Sequence, residues 1–387
     1  MKAIDETTSY QMRILSAIGI CFVLLGHITN SLTSPGTFYG WFPYYSCHMP
    51  LFLFISGYFF RDLPKEHFRK ALGRFVLKKF KNLMLPYYVI NGGFILIGMF
   101  LATRGFTSVR LYTFPEYLLC PWTTLQPVTW AVPTWFLAGL FISEIYFVLL
   151  RSLADRVFHR EGIRELFLML LVTVLSIGAV WLKQKGFTSE AGDVYLRSVL
   201  ILFFLEMGVI YRKFGESRDT LPHIWYFLIL FFLQFLMIVL TRNSFLSPGL
   251  YNLSNLGRMG IVYMAAGITG ILLWLRIAKI IASVPHRSKL LLFIGSNTKY
   301  IMSFHLFGYF LLNTLFCFLV EHHIGTGFLS GFDKQQYLSH VYYVCLNNPR
   351  LLVLYFLAGM VFSLLLSKLI LLCKTALRKV RAKHRSA

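Results

Sequence analysis

The chain has 387 residues, of which 57% are hydrophobic and only 14% charged, and its mean hydropathy is +0.63. A soluble domain carries roughly 45–50% apolar and about 25% charged residues, so an ordinary soluble fold is excluded. The net charge of +22 would suggest nucleic acid in a soluble protein, but here it lies in short segments between apolar runs. No basic soluble domain is left over to bind nucleic acid, and the first meaning of the charge is orientation against an anionic leaflet.

The N-terminal MKAIDETTSYQMR contains acids and lacks a basic region followed by a cleavage site, so the first apolar run reads as a retained helix. A helix needs about 20 mostly apolar residues to cross the hydrocarbon core. Runs of that kind predict spans near 12–32, 43–60, 84–103, 134–150, 165–182, 194–211, 222–241, 259–275, 299–320 and 351–373. The second and fourth are short and tinged with polar residues. No repeat or long linker divides the chain, which predicts one all-α polytopic membrane domain over 1–387 with about ten transmembrane helices.

Alternate connections differ sharply in Lys and Arg. One set, from Lys2 through the 61–81 segment to the tail at 374–387, holds 26; the other holds 8, among them Arg104, Arg110, Arg242, Arg258 and Lys334. The positive-inside rule then puts both ends of the chain in the cytoplasm. Six scattered cysteines form no C-x-x-C pair and no zinc spacing, so no metal site is expected. Cys47, Cys120 and Cys345 fall on or near the expected outer side; they read as free thiols, although one pair there could oxidise.

Residues 61–83, RDLPKEHFRKALGRFVLKKFKNL, space Phe68, Leu72, Phe75 and Phe80 at near-helical intervals among basic residues. This fits a helix lying in the cytoplasmic interface. Its charge serves either topology and anionic lipid or a phosphate-rich ligand, and the pattern leaves both open.

Ionisable groups inside a span are costly and usually face a cavity or a partner. Arg13, His27, His48, Glu206, Lys299, His305 and Lys368 qualify, with Lys368 placed to snorkel. In the first span, RILSAIGICFVLLGHITN, Arg13 and His27 are fourteen residues apart, close to four turns, so they share a face. Gly19 and Gly26 invite a second helix to approach. His48 opens the second span and enters the same layer as His27. Two histidines at one depth could form a base and its partner or stabilise an anionic intermediate; they could also be packing residues.

Five segments resemble the membrane acyltransferase-3 family, and most closely its branch related to fucose 4-O-acetylases. They are SAIGICFVLLGH, CHMPLFLFISGYFF, KKFKNLMLPYY, PTWFLAGLF and GSNTKYIMSFHLF, of which HMPLFLFISGYFF is the most specific. Their order extends the resemblance over nearly the whole chain. It implies a multi-pass protein of the plasma (inner) membrane that moves an acyl group, commonly acetyl from acetyl-CoA, to hydroxyls of an extracytoplasmic or lipid-linked glycan. It matches His27 to the family's essential first-helix histidine and Lys78, Lys79 and Lys81 to its basic motif. His305 matches a histidine late in the domain. Where the family usually has Arg or Lys, eleven positions before the histidine, this chain has Ser16, and Arg13 lies one turn further down on nearly the same face.

On that reading His27 is the general base and His48 orients the acceptor or donates to the oxyanion. Lys78, Lys79 and Lys81, with Arg74, attract the CoA phosphates, and Arg13 holds the donor where it enters. With the basic cluster inside and His27 nearer the outside, either the pantetheine arm reaches through a cavity or an acyl-His27 relay carries the group outward. A glycan or small-anion transporter or flippase uses the same kinds of residue, and a non-catalytic sensor is a third reading. In the outer loops Tyr112, Tyr117, Trp122, Trp130, Tyr337, Tyr342 and Tyr343 suit either interfacial anchoring or sugar faces.

Overall fold

The structure is a computed structural model that describes residues 5–29, 47–107, 112–125, 128–186, 189–240, 250, 260–325, 327–340, 343–345 and 348–385. Every regular element among them is helical. Nine helices or continuous helical runs in this set are long and apolar enough to cross a bilayer. They correspond to nine of the ten expected spans, with edges shifted by a few residues.

The first run is α1 (Glu6–Thr29). The exception follows it. α2 (His48–Tyr58) has 11 residues, well short of the roughly 20 that cross a membrane, and residues 43–46 of the expected span lie outside the described set. Its side chains are nonetheless mostly buried, because its neighbours approach to backbone contact. A Cβ on Gly57 would sit 1.9 Å from the Leu205 carbonyl oxygen, and one on Gly208 would sit 2.1 Å from that of Phe54. Only glycine permits this approach. Gly19 plays a milder version of that role in α1, where a Cβ would meet Leu51 and Phe52 at 3.0–3.1 Å.

The 61–83 segment, expected to lie as a helix in the cytoplasmic interface, does not stand alone. It is α3 (Phe68–Lys79), which passes through a π-helical turn at Phe80–Met84 directly into α4 (Leu85–Ala102). Only Ala71 of α3 is buried, as an amphipathic surface helix requires. Pro86 explains the π turn: it has no N–H to donate and its ring clashes with the carbonyl four residues earlier, so the turn before it widens.

The chain continues through α5 (Phe114–Thr123), α6 (Trp135–Val157), α7 (Glu161–Gln184), α8 (Glu190–Ile210) and α9 (His223–Leu240). α10 (Gly260–Ser283), α11 (Lys289–Ser296), α12 (Thr298–Glu321), α13 (Lys334–Ser339) and α14 (Pro349–Arg385) complete it. α14 runs 37 residues, about 55 Å at 1.5 Å per residue, so its basic end projects past a hydrocarbon core of about 30 Å. The outward faces carry Leu96, Val174, Phe232, Val353 and Leu365 at 58–69% exposure, a surface that only lipid would cover.

Several of the aromatics expected in outer loops are internal. Trp130 is fully buried and Tyr337 nearly so, packed with Phe94 and Phe310. Tyr117 donates to the Tyr88 carbonyl at 2.5 Å and Trp122 to the Tyr88 hydroxyl at 3.3 Å. For Trp130 and Tyr337 the reason is core packing rather than anchoring or open sugar contact. Tyr342, Arg110, Arg242, Arg258 and Lys2 lie outside the described residues. Among the described residues no cysteine forms a disulfide, and Cys47, Cys120 and Cys345 are buried.

Candidate active site

His27 sits in the last turn of α1 and His305 two turns into α12, and the two rings meet. The His305 Nε2 lies 3.2 Å from the His27 Nδ1, with ring centroids 4.9 Å apart. Each Nδ1 also contacts the carbonyl one turn back in its own helix: Val23 at 2.8 Å for His27 and Ile301 at 2.9 Å for His305. A carbonyl can only accept, so both Nδ1 atoms carry the proton in the neutral rings. The His305 Nε2 is then bare, and it accepts a share of the His27 Nδ1–H. What remains is the His27 Nε2, a lone pair with no hydrogen bond among the described residues. His305 is fully buried while His27 is only half-buried. The pair therefore has direction: His305 orients, and His27 offers a basic nitrogen.

Packing sets this register. Tyr309, one turn beyond His305, donates to the Leu24 carbonyl of α1 at 3.1 Å. Behind His305, α14 presents Gly359, whose Cβ would lie 3.2 Å from the His305 Cβ and 2.5 Å from the Tyr309 ring. Gly308 faces the Ala358 carbonyl across the same seam, where its own Cβ would be at 2.8 Å. Any larger residue at 359 would push α14 off α12 and disturb the ring pair. Asn313 extends the seam outward: Tyr355 of α14 donates to its side-chain oxygen, and Asn313 donates to the Tyr343 carbonyl.

At the other end of α1, the Arg13 backbone carbonyl touches α11, where a Cβ on Gly295 would come within 2.1 Å. The exposed Arg13 side chain reaches the Ser296 hydroxyl at 3.5 Å. The shared face expected for Arg13 and His27 is thus the one α1 turns to α11 and α12. Ser16 donates to the Met12 carbonyl of its own helix at 2.8 Å.

The remaining expected residues separate. His48 is 8% exposed in the first turn of α2, and the histidine hydrogen-bonded to His27 is His305. Arg74 and Lys78 are exposed on α3. Lys79 instead turns into the bundle and pairs at 2.5 Å with Glu144, a carboxylate only 3% exposed. Lys81 lines a groove between α4, α12 and α14. Sequence reading missed Glu144, although an acid inside LAGLFISEIYFVLL is the kind of costly residue that should have flagged it.

Glu206 was a functional candidate on the same ground, and its place is structural. The Arg151 guanidinium donates to Glu206 at 2.7 Å, to Glu165 at 2.8 and 2.9 Å, and to Asp62 at 2.7 and 3.2 Å. Lys213 reaches Glu165 at 2.9 Å and Glu161 at 2.7 Å, and Arg164 reaches Glu165 at 2.7 Å. This network ties α6, α7 and α8 to the connection after α2. Outside the spans, burial alone would raise the Asp62 carboxyl. The hydrogen bond and charge of Arg151, then the charges of Lys213 and Arg164, outweigh it and hold the group below its ordinary 3.8. Among the described residues no group of three or more His, Cys, Asp or Glu could hold a metal.

With this geometry in place, a family model described as an acyltransferase domain, that of the acyltransferase-3 family, matches residues 10–370. No curated protein and no solved structure matches the chain. The match spans nearly the whole chain and every element of the histidine pair. The chain belongs to the acyltransferase-3 family and is a multi-pass membrane acyltransferase.

Proposed function

We propose that this acyltransferase-3 protein moves an acyl group, acetyl in the first instance, from acyl-CoA to a hydroxyl of an extracytoplasmic or lipid-linked glycan. The observation that carries the proposal is the His27 Nε2, a basic nitrogen left open by a ring whose other nitrogen is held by Val23 and His305. A sugar hydroxyl is too weak an acid to attack a thioester unaided, so a base must take its proton as the new bond forms. The acceptor oxygen bonds to the thioester carbon while its proton passes to the His27 Nε2. The C–S bond then breaks, and the imidazolium returns that proton to the departing CoA thiolate. His305 supports the cationic ring in between, because its bare Nε2 accepts from the His27 Nδ1–H.

The bundle is read with both ends in the cytoplasm of a plasma (inner) membrane, following its Lys and Arg distribution. Arg13, Arg74 and Lys78 then face an incoming CoA, and their exposed charge suits its phosphates. Lys79, neutralised by Glu144, anchors the α3–α4 run rather than binding donor. His48 stays a candidate for orienting the acceptor. The 14 residues from Arg13 to His27 amount to about 21 Å along α1, which the donor arm or an acyl-His27 relay must bridge. The branch related to fucose 4-O-acetylases remains the reading of the HMPLFLFISGYFF segment.

The test uses purified protein, labelled acetyl-CoA and a surface-glycan acceptor. Label should move to the glycan with wild type and fail to move with His27→Ala. Undiminished transfer by His27→Ala sinks the mechanism, and glycan movement across liposomes without any acyl donor would point to a transporter instead.

A further inference from the structure

A groove of about 440 Å³ lies between α4, α12 and α14, with Lys81, Lys299 and Lys374 among its lining residues. The other side chains that line it are apolar apart from Tyr300, and no carboxylate is among them. Lys374 donates to the Tyr300 hydroxyl at 3.2 Å, and the ammonium groups of Lys299 and Lys374 stand 5.4 and 5.8 Å from the Tyr300 ring centre. Among the described residues none of the three lysines has an acidic partner, whereas Lys79, two positions before Lys81, is paired with Glu144.

The groove is on the outside of the bundle. On α12 the Tyr300–Phe304 stripe lines it, while the Ile301–His305–Tyr309 stripe faces α1 and α14. On α4 its wall includes Val89 at 65% exposure, on the surface where lipid must cover the helices. It also runs deep, from Lys81 to Ile97 on α4, about 24 Å of helix. Its occupant must therefore offer hydrocarbon along most of that length and negative charge at one end.

We propose that this groove is a binding site for an anionic phospholipid, its phosphate held by Lys81, Lys299 and Lys374 and its acyl chain laid along α4 toward Phe94. Basic pockets between membrane helices suit such headgroups. CoA suits the groove less well, since its adenine and ribose would face walls that supply no polar partner beyond one tyrosine and three ammonium groups. A lipid seated here braces α4 and α14 against α12, the helix that carries His305. Lys81, expected from the sequence among the CoA contacts, is assigned here to the lipid, so the site needs neither donor nor acceptor and stands or falls independently of the acyl-transfer reading.

Native mass spectrometry of the full chain, released from nanodiscs of phosphatidylcholine doped with phosphatidylglycerol, tests it without any turnover measurement. One phosphatidylglycerol should be retained in preference to phosphatidylcholine. Each lysine beside the headgroup is worth about fivefold, so Lys81→Gln, Lys299→Gln and Lys374→Gln together should weaken retention by roughly 100-fold. Lys70→Gln with Lys289→Gln, two exposed cations elsewhere, should leave it unchanged. Gly93→Leu provides a second route, because Gly93 lines the groove and a Cβ there meets nothing within 4 Å. It fills the chain's path while leaving the three charges in place, and should also expel the lipid. Equal retention of the two lipids, full retention by both groove variants, or displacement of phosphatidylglycerol by acetyl-CoA would overturn the proposal.

Discussion

Two of the polar clusters buried in this bundle are finished differently. Around Arg151, three carboxylates saturate a single guanidinium, and Lys213 and Arg164 offset the surplus negative charge. Little donor capacity is left to meet a substrate. Around His27 the described residues supply no carboxylate, only two carbonyls, one imidazole and a ring nitrogen with no hydrogen bond among them. Desolvated charges cost several kcal/mol each unless well paired, so a complete network is what a structural clamp needs. A neutral imidazole can be left partly unsatisfied at far lower cost and remains available for chemistry. Polarity inside a membrane helix marks both kinds of place. One Glu206 oxygen has no hydrogen-bond partner among the described residues, but the guanidinium at the centre of the clamp has its donors engaged, and that saturation tells it apart from the His27 ring.

Swapping the damage between the clusters gives the sharpest test. Losing a general base should reduce acyl transfer by about 10²–10⁴-fold in His27→Ala, with its thermal midpoint in detergent close to wild type. Arg151→Ala should do the reverse, since removing one partner of a buried ion network costs about 3–5 kcal/mol. Its folded yield and midpoint should fall steeply, while the specific activity of whatever folds is preserved. If Arg151→Ala is stable but inactive, the division between clamp and catalytic pair fails.

The sequence made these places visible unequally. Apolar run length gave the spans wherever lipid was the covering solvent, but it made a full span of 43–60, where α2 has 11 residues whose apolar side chains are covered by protein through Gly57 and Gly208. Hydropathy does not distinguish those two kinds of burial. His27 and His305 are each legible as costly residues, but the sequence offers His48 as a possible partner for His27, because depth along the membrane can be read from sequence and helix adjacency cannot. Here α12, 278 residues later in the chain, lies beside α1. The same blindness made Glu206 look functional and let Lys79 stand beside Lys78 as a donor contact, since nothing local reveals Arg151 or Glu144 across the bundle. Pro86 stands in the KKFKNLMLPYY segment, and its widening of the preceding turn follows from elementary backbone chemistry.

A smaller effect separates orienting from reacting. In His305→Ala the His27 Nδ1–H keeps the Val23 carbonyl and loses only its second acceptor. One hydrogen bond is worth about 0.5–1.5 kcal/mol, so kcat should drop about tenfold, with the KM for acetyl-CoA unchanged. A loss as large as that of His27→Ala would make His305 a reacting group instead of a positioning one.

The smallest expected effect belongs to the clamp's only partly buried carboxylate, and it depends on pH. Asp62 has a folded value held below its ordinary 3.8 by Arg151, Lys213 and Arg164 against the opposing effect of burial. A depressed carboxyl stabilises the fold fully above its unfolded value, and that contribution is lost as pH falls through the lower folded one. Melting wild type and Asp62→Asn between pH 6 and the acid limit of the detergent should therefore show wild type ahead at the upper end, with the gap closing below about pH 3.8. Solvent reaches this side chain, which keeps the gap modest. A gap between Asp62→Asn and wild type that widened on acidification would mean that Asp62 is protonated in the folded protein and that the clamp holds its charge in some other way.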